Sequence, residues 1–291
     1  MTKIPRLQQT PTTTVDECAV IIDGAVMVHM LSPGPSKTFH DYCSGIIWPS
    51  VHRLLQSVQQ VDVVFDHYLH TSLKSETRRS HGSGQRIKVT LSTAIRGKFS
   101  KFLRWTATNS NCFSMIAKFL VAHPIGSKIL ICTVDDAACA SHEFHDISAL
   151  AACSAEEADG HLLLHAVKAG LCNITICTVD SDVVAIAIYA FTRMSGVKEL
   201  WIDFSVSKTR KMIPVHEICA NVPHAITINL PFFHAFTWCD TVSAFCGIGK
   251  CTAWKAWMGF CEVDEAFCTL ATSNVIHQNT MKLIDRYVVN V

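Results

Sequence analysis

Three short apolar runs that each end in an aspartate constrain the fold of this chain more than any other feature. They are residues 18–23 (CAVIID), 61–66 (VDVVFD) and 174–180 (ITICTVD). Continuous apolar runs of about four to eight residues are typical of strands buried on both faces, as in parallel sheets. Two further runs, 128–134 and 199–202, predict additional strands.

Stretches with helical periodicity lie between and after these runs. They cover residues 37–60, 111–121, 154–168 and most of the chain from Pro214 onward. Pro49 is expected to break or kink the first of them. Ser154 and Glu157 form a Ser-x-x-Glu capping box at the beginning of the third, and Gly170 suits its end. Strands that alternate with helices predict an α/β fold with a mainly parallel central sheet flanked by helices.

The composition excludes several other classes of protein. Hydrophobic residues make up 49% of the 291 residues and charged residues 17%, which excludes intrinsic disorder. No apolar stretch reaches the roughly 18 residues of a transmembrane helix, and the polar first residues do not form a signal peptide. The 14 cysteines are scattered and include no Cys-x-x-Cys pair. We therefore expect reduced thiols, an intracellular location (nuclear or cytoplasmic) and no membrane partner.

One segment is strongly basic although the chain as a whole is nearly neutral. Residues 71–104 contain nine Lys or Arg and one Glu, whereas the whole chain has a net charge of +1. Among the basic residues are Lys74, Arg78, Arg79, Arg86 and Lys88. A block of this kind can neutralise phosphates and release their counterions, although a solvated surface loop explains it equally well. It makes nucleic acid a candidate partner.

Aspartates stand where the chemistry of such a sheet is expected. The carboxyl ends of parallel strands meet at one edge, and ligands bind there. Asp23, Asp66 and Asp180 end the three runs, and Asp182 follows closely. Each alone is explained as a turn or cap residue. Together they repel one another unless a cation binds among them, and oxygen ligands favour Mg²⁺ or Mn²⁺.

Five motifs in chain order resemble the flap-endonuclease branch of the PIN-like nucleases. They are IIDG at 21–24, VVFD at 63–66, EAD at 157–159, TVDSD at 178–182, and CD at 239–240 shortly before GIG at 247–249. Each motif is weak alone, and their order over nearly the whole chain carries the resemblance. The chain also resembles a set of animal proteins of mobile-element origin.

The resemblance implies a structure-selective nuclease that cleaves DNA or RNA with two Mg²⁺ or Mn²⁺ ions. The first ion would be bound by Asp23, Asp66 and Asp159, with Glu157 binding directly or through water. The second would be bound by Asp180, Asp182 and Asp240. Lys74 and Arg78 would stabilise charge on the scissile phosphate. Arg79, Arg86 and Lys88 would bind the backbone. Gly247, Gly249 and Lys250 would contact phosphates, directly or through a monovalent cation.

The resemblance also implies a domain organisation. Residues 1–17 form a polar tail, and 18–212 form the PIN-like core with its basic insert at about 71–104. Residues 213–260 form a helical part with a helix-hairpin-helix. Residues 261–291 form an extension, and its apolar end predicts that the chain is a fragment.

The chain departs from the family pattern at Trp238. The resembling families usually have Gly or Ser immediately before this Asp or one residue earlier, whereas here the run is TWCD at 237–240. The indole is large enough to displace Asp240 or to occupy the place of the substrate, which predicts impaired activity. Alternatively, Trp238 faces solvent or stacks on a base. The competing function is a catalytically inactive PIN-like protein that binds nucleic acid or acts in assembly.

Two other sites are suggested by the sequence and rejected. His161 and His165 have the i, i+4 spacing of zinc ligands, but the face is apolar and a buried histidine pair is expected. Residues 244–250 (AFCGIGK) approach a P-loop but lack its first Gly and its final hydroxyl. Residues 232–245 also read as a helix, whereas a P-loop follows a strand.

Overall fold

A computed structural model describes residues 11, 14–66, 88–95, 99, 103, 110–134, 137–142, 147–151, 158–206, 209–238 and 245–291. The predictions for Lys74, Arg78, Arg79, Arg86, Glu157 and Asp240 lie outside these residues. The chain forms two compact units. The sheet unit takes its described residues from Gln8–Val179 and Met194–Pro214, and the helical unit from Asp180–Arg193 and Val215–Val291.

The sheet unit contains a sheet of seven strands among the described residues. The strands are β1 Cys18–Asp23, β2 Gln60–Val64, β3 Ile129–Val134, β4 Ala137–Ala140, β5 Asn173–Thr178, β6 Glu199–Val206 and β7 Thr209–Pro214. Their order is β4-β3-β2-β1-β5-β6-β7, with β3, β2, β1, β5 and β6 parallel and the two edge strands antiparallel. The predicted α/β fold with a mainly parallel sheet is confirmed.

The order of the strands identifies where a ligand is expected. From the central β1 the chain adds β2 and β3 on one side, and it then adds β5 and β6 on the other side. The topological switch point therefore lies between the carboxyl ends of β1 and β5, which pair in register from Cys18↔Asn173 to Ile22↔Cys177. Ligands of open α/β sheets bind at such a point.

Helices of the sheet unit cover the sheet with apolar side chains. They are α1 Gly24–Met30, α2 Phe39–Tyr42, a π-helical turn Cys43–Ile47, α3 Trp48–Leu55, α4 Ser110–Val121 and α5 Ala158–Lys168. Val20 and Ile22 of β1 belong to one buried cluster with Phe39, Tyr42 and Ile116. Complete burial of one such side chain contributes about 1.5–3 kcal/mol. The apolar runs form strands because burial of the side chains on both faces of the sheet stabilises the fold.

Pro49 does not end the helix. The helix type changes locally just before it. The π-helical turn Cys43–Ile47 precedes it, and the proline lies in the first turn of α3. A missing N–H costs little at that position, so the chain continues as helix.

The helical unit is built around aromatic side chains. Its helices are α6 Ser181–Phe191, α7 Val215–Asn221, α8 His224–Thr237, α9 Lys250–Gly259, α10 Val263–Thr272 and α11 Gln278–Asn290. The ring centroids of Phe233 and Trp257 are 4.7 Å apart, and those of Phe267 and Tyr287 are 5.3 Å apart. The buried Tyr287 hydroxyl donates to the Ala253 carbonyl at 3.0 Å, so the polar atom is satisfied.

The helix predicted over 232–245 is shorter than expected. Helix α8 ends at Thr237, and Trp238 has a φ of 140°, which does not continue a helix. Helix α9 begins at Lys250, directly after Gly249. Residues 239–244 are not described, and the helix-hairpin-helix stays a prediction. The domain boundaries also stay predictions. No described helix is long and apolar enough to cross a membrane.

Candidate metal centre

Asp23 lies at the switch point and is held by hydrogen bonds from helix α1 and strand β5. It is the last residue of β1 and the N-cap of α1, and its Oδ1 accepts a hydrogen bond from the Val26 N–H at 3.0 Å. Its Oδ2 accepts from the hydroxyl of Thr178, the last residue of β5, at 3.3 Å. Only 8% of Asp23 is exposed. The carboxylate is therefore fixed in orientation and largely removed from water.

Gly24 joins two of the sequence motifs physically. A Cβ at this position would lie 2.3 Å from the ring of Phe65, so only glycine allows the close approach. The Phe65 ring in turn stacks on Phe113 with centroids 4.8 Å apart. Gly24 and Phe65 therefore pack directly against each other. Because each is adjacent in sequence to one of the aspartates, this contact brings Asp23 and Asp66 to the same edge of the sheet.

Asp66 connects the end of β2 to the beginning of α5. Its Oδ1 accepts from the backbone N–H of Ala158, the first residue of α5, at 3.0 Å. Asp159 follows in the first turn, where the helix dipole favours a negative charge. Both side chains are half-buried. The structure therefore brings Asp23 and Asp66 to the same edge, and Asp159 follows the Ala158 N–H that contacts Asp66.

The surroundings of Asp23 disfavour its charged form. Burial raises the pKa of Asp23 from 3.8 to about 6, and the negative charge of Asp66 acts in the same direction. The hydrogen bonds from Val26 and Thr178 lower the pKa only in part. A divalent cation between these carboxylates would offset both the desolvation and the repulsion.

We expect the Asp23→Asn variant without metal to be more stable than the wild type at pH 8, by on the order of 3 kcal/mol. Because the folded-state pKa is raised, the charged form is penalised above pH 6 and the penalty disappears as the pH falls towards 4. Asn caps a helix as well as Asp, so the cap persists. Urea unfolding with EDTA at several pH values measures the difference. A gain that is independent of pH would contradict this explanation.

In the helical unit, the structure gives Asp180 and Asp182 partners within the protein. Asp180 is the N-cap of α6, and its Oδ1 accepts from the Asp182 N–H at 2.8 Å. Asp182 Oδ1 lies 2.7 Å from Nε2 of His234. The Lys250 ammonium lies 2.9 Å from Nδ1 of the same ring. Metal ligation by Asp180 and Asp182 stays a prediction, as does phosphate binding by Lys250.

Sequence reasoning missed His234 and the hydroxyl of Thr178 as members of these arrangements. Thr178 stands inside a motif, so its position was available from the sequence. His234 lies 52 residues from Asp182 and carries no motif.

Among the described residues, no three His, Cys, Asp or Glu side chains form a metal-binding group. Glu157 and Asp240 are not among those residues. Lys88, Gly247 and Gly249 are described: Lys88 is exposed, and Gly249 is the N-cap of α9. The buried histidine pair is confirmed, because His161 and His165 are 5% and 0% exposed.

Trp238 combines exposure with an unfavourable backbone conformation. Its φ of 140° makes it the one non-glycine residue with positive φ among those described, and 57% of it is exposed. The exposure agrees with the alternative in which the indole faces solvent. A φ of this value is readily adopted by glycine and rarely by other residues.

We expect Trp238→Gly to stabilise the protein, because strain of this kind costs about 1–3 kcal/mol and an exposed indole contributes little burial. Trp238→Ala is the matched control, since it removes the indole but keeps the restriction on φ. Thermal unfolding should show a gain for Gly and none for Ala. If the indole obstructs the site, both variants should cleave the substrate faster than the wild type. If the indole stacks on a base, both variants should bind nucleic acid more weakly and cleave it no faster.

Comparison with known proteins gives similarity at the level of structure only. No family model and no curated protein matches the chain. Two solved structures of the catalytic core of Rad2 in complex with DNA substrate are similar to it. One is 12% identical over 97% of this chain and 74% of that chain, with a TM-score of 0.45. The other is 11% identical over 97% and 76%, also with a TM-score of 0.45.

The comparison gives no support to a mobile-element origin. At this TM-score the similarity says nothing about the activity of this chain.

Proposed function

We propose that this protein is a divalent-metal-dependent phosphodiesterase that cleaves DNA or RNA as a structure-selective nuclease. The observation that carries the proposal is the buried Asp23 beside Asp66 at the switch point, with its pKa raised to about 6. Burying a carboxylate next to another destabilises a protein, and such perturbed groups are concentrated at functional sites.

The oxygen chemistry of the proposed ligands suits Mg²⁺ or Mn²⁺. Asp23, Asp66 and Asp159 offer only carboxylate oxygens, which these hard cations prefer, and Glu157 would complete the set. A pair of such ions supplies Lewis-acid activation of the phosphate and of the attacking water. Asp180, Asp182 and Asp240 are the proposed ligands of the second ion, as the motif order implies.

Neighbouring residues hold the carboxylates of the proposed site in fixed orientations. Thr178 and the Val26 N–H hold both oxygens of Asp23, and the Ala158 N–H orients Asp66. Ligands held in this way lose less conformational entropy when they bind a cation or a phosphate. The backbone of Gly247–Gly249 is proposed to contact substrate phosphate, with or without a monovalent cation.

The basic segment is proposed to bind phosphates. We expect the triple change of Lys74, Arg78 and Arg79 to Ala to weaken binding regardless of sequence. It should lower the slope of log affinity against log salt by up to about 0.9 for each duplex phosphate that the variant no longer neutralises. The control is a triple change of the exposed Arg53, Lys118 and Lys255 to Ala. Equal slopes for the two variants would assign the segment to the solvated surface.

A second candidate function is a PIN-like protein that binds nucleic acid without cleaving it or acts in assembly. The exposed indole of Trp238, which could stack on a base of a single strand, favours this alternative. The two functions are distinguished by incubating the purified protein with labelled single-stranded, duplex and flap substrates, with Mn²⁺ or with EDTA. Cleavage in Mn²⁺ alone supports the nuclease. Binding without cleavage in both conditions supports the alternative.

A further inference from the structure

Three side chains of the helical unit form a continuous chain of contacts. Asp182 lies in the first turn of α6, His234 in the last turn of α8, and Lys250 is the first residue of α9. Asp182 Oδ1 lies 2.7 Å from His234 Nε2, and Lys250 Nζ lies 2.9 Å from His234 Nδ1. The side chains of His234 and Asp182 are only 15% and 32% exposed. The contacts are thus mostly shielded from water.

The chemistry of the two neighbours determines the hydrogen positions on the imidazole. A carboxylate only accepts hydrogen bonds and an ammonium only donates them. His234 must therefore carry its hydrogen on Nε2, which donates to Asp182, while the bare Nδ1 accepts from Lys250. Both contacts require the neutral Nε2–H tautomer.

Lys250 also fixes the place of the ring. Its ammonium donates to the backbone carbonyl of His234 at 3.1 Å. Helix α8 ends at Thr237, so the carbonyls of its last turn lack intrahelical partners, and a lysine is a favourable donor to them. One ammonium therefore anchors both the ring and the backbone of His234.

These contacts distinguish the two carboxylate oxygens of Asp182. Among the described residues, the imidazole is the hydrogen-bond partner of Oδ1, and Oδ2 is the oxygen left for a cation. Partners that orient a metal ligand in this way contribute strongly to metal affinity. We propose that His234 is a positioning residue that holds Asp182 for a divalent cation, with Lys250 fixing its tautomer. This inference rests on the proposed function.

The same contacts give the Lys of the Gly-Ile-Gly-Lys sequence a role within the protein. A lysine that only bound phosphate would extend into solvent, whereas the Lys250 ammonium has two acceptors on His234.

The test uses the whole chain without nucleic acid and measures free Mn²⁺ by electron paramagnetic resonance during a titration. His234→Leu removes both contacts, and His234→Gln keeps one donor and one acceptor at similar reach. His224→Leu, an exposed histidine at the beginning of the same helix, is the matched control. We expect about 10- to 100-fold weaker Mn²⁺ binding for Leu. The Gln and control variants should bind close to the wild-type level.

A second readout is independent of metal. Nitrogen NMR of the wild type should show His234 with a protonated Nε2 and a bare Nδ1. The opposite tautomer would overturn the inference, as would wild-type Mn²⁺ affinity in a folded His234→Leu variant. If that variant does not fold, His234→Asn replaces it, because its shorter amide does not reach Asp182. A wild type that binds no Mn²⁺ would instead refute the proposed function, and the inference with it.

Discussion

Replacing Asp180 and Asp182 together with Asn will abolish Mn²⁺-dependent cleavage and leave nucleic-acid binding largely intact. Loss of several kcal/mol of stabilisation of the transition state corresponds to about a thousandfold or more in rate. Asn retains an oxygen that can cap α6 in place of Asp180 and accept from His234 in place of Asp182. The fold should therefore persist, and the loss should be confined to the chemistry.

Single-turnover cleavage and binding assays on the same preparations measure the two effects separately. The control replaces Glu265 with Gln and Asp285 with Asn, which removes two negative charges from exposed positions of the same unit. Full cleavage by the Asp180/Asp182 variant would remove both residues from the site.

Replacing His165 with Leu will destabilise the protein by about 3–5 kcal/mol, the cost of leaving a buried charge without its partner. His165 Nδ1 lies 2.6 Å from Asp62 Oδ2, and both side chains are 0% exposed. Gln60 Nε2 donates to the other oxygen of Asp62 at 2.9 Å, which cannot replace the imidazole. The pair attaches α5, which carries Asp159, to β2.

A double-mutant cycle with Asp62→Leu isolates the interaction. The double variant should recover much of the lost stability, because an apolar pair suits the surrounding core, although Gln60 loses its acceptor. Urea unfolding gives the free energies. A cost below about 1 kcal/mol for His165→Leu would show that the carboxylate of Asp62 finds another partner.

The sequence predicted the sheet well, because burial on both faces leaves continuous apolar runs. Strand β1 has the predicted bounds, and β2, β3 and β5 differ by one or two residues at their ends. The edge strands β4 and β7 were missed. Ala137–Ala140 has small side chains with little preference for strands, and Thr209–Pro214 contains polar and basic residues. Pairing with a neighbouring strand determines their structure.

The candidate site was predictable only in part. Asp23 and Asp66 follow from the rule that strand ends carry function, and the packing of Gly24 on Phe65 gives that rule a physical basis here. The pairing of His234 with Asp182 depends on helix packing across a long separation in the chain, which no local pattern reveals. The end of α8 at Thr237 was missed because residues 232–245 contain no helix-breaking Gly or Pro near Trp238.

The most direct test of the proposed nuclease compares wild type and Asp23→Asn in the cleavage of one labelled flap substrate over a range of Mn²⁺ concentrations, with EDTA as the blank. We predict cleavage by the wild type that requires Mn²⁺, and none by Asp23→Asn although it remains folded and binds the substrate. Equal cleavage by the two proteins, or a wild type that binds the substrate but leaves it intact at every Mn²⁺ concentration, would contradict the proposal.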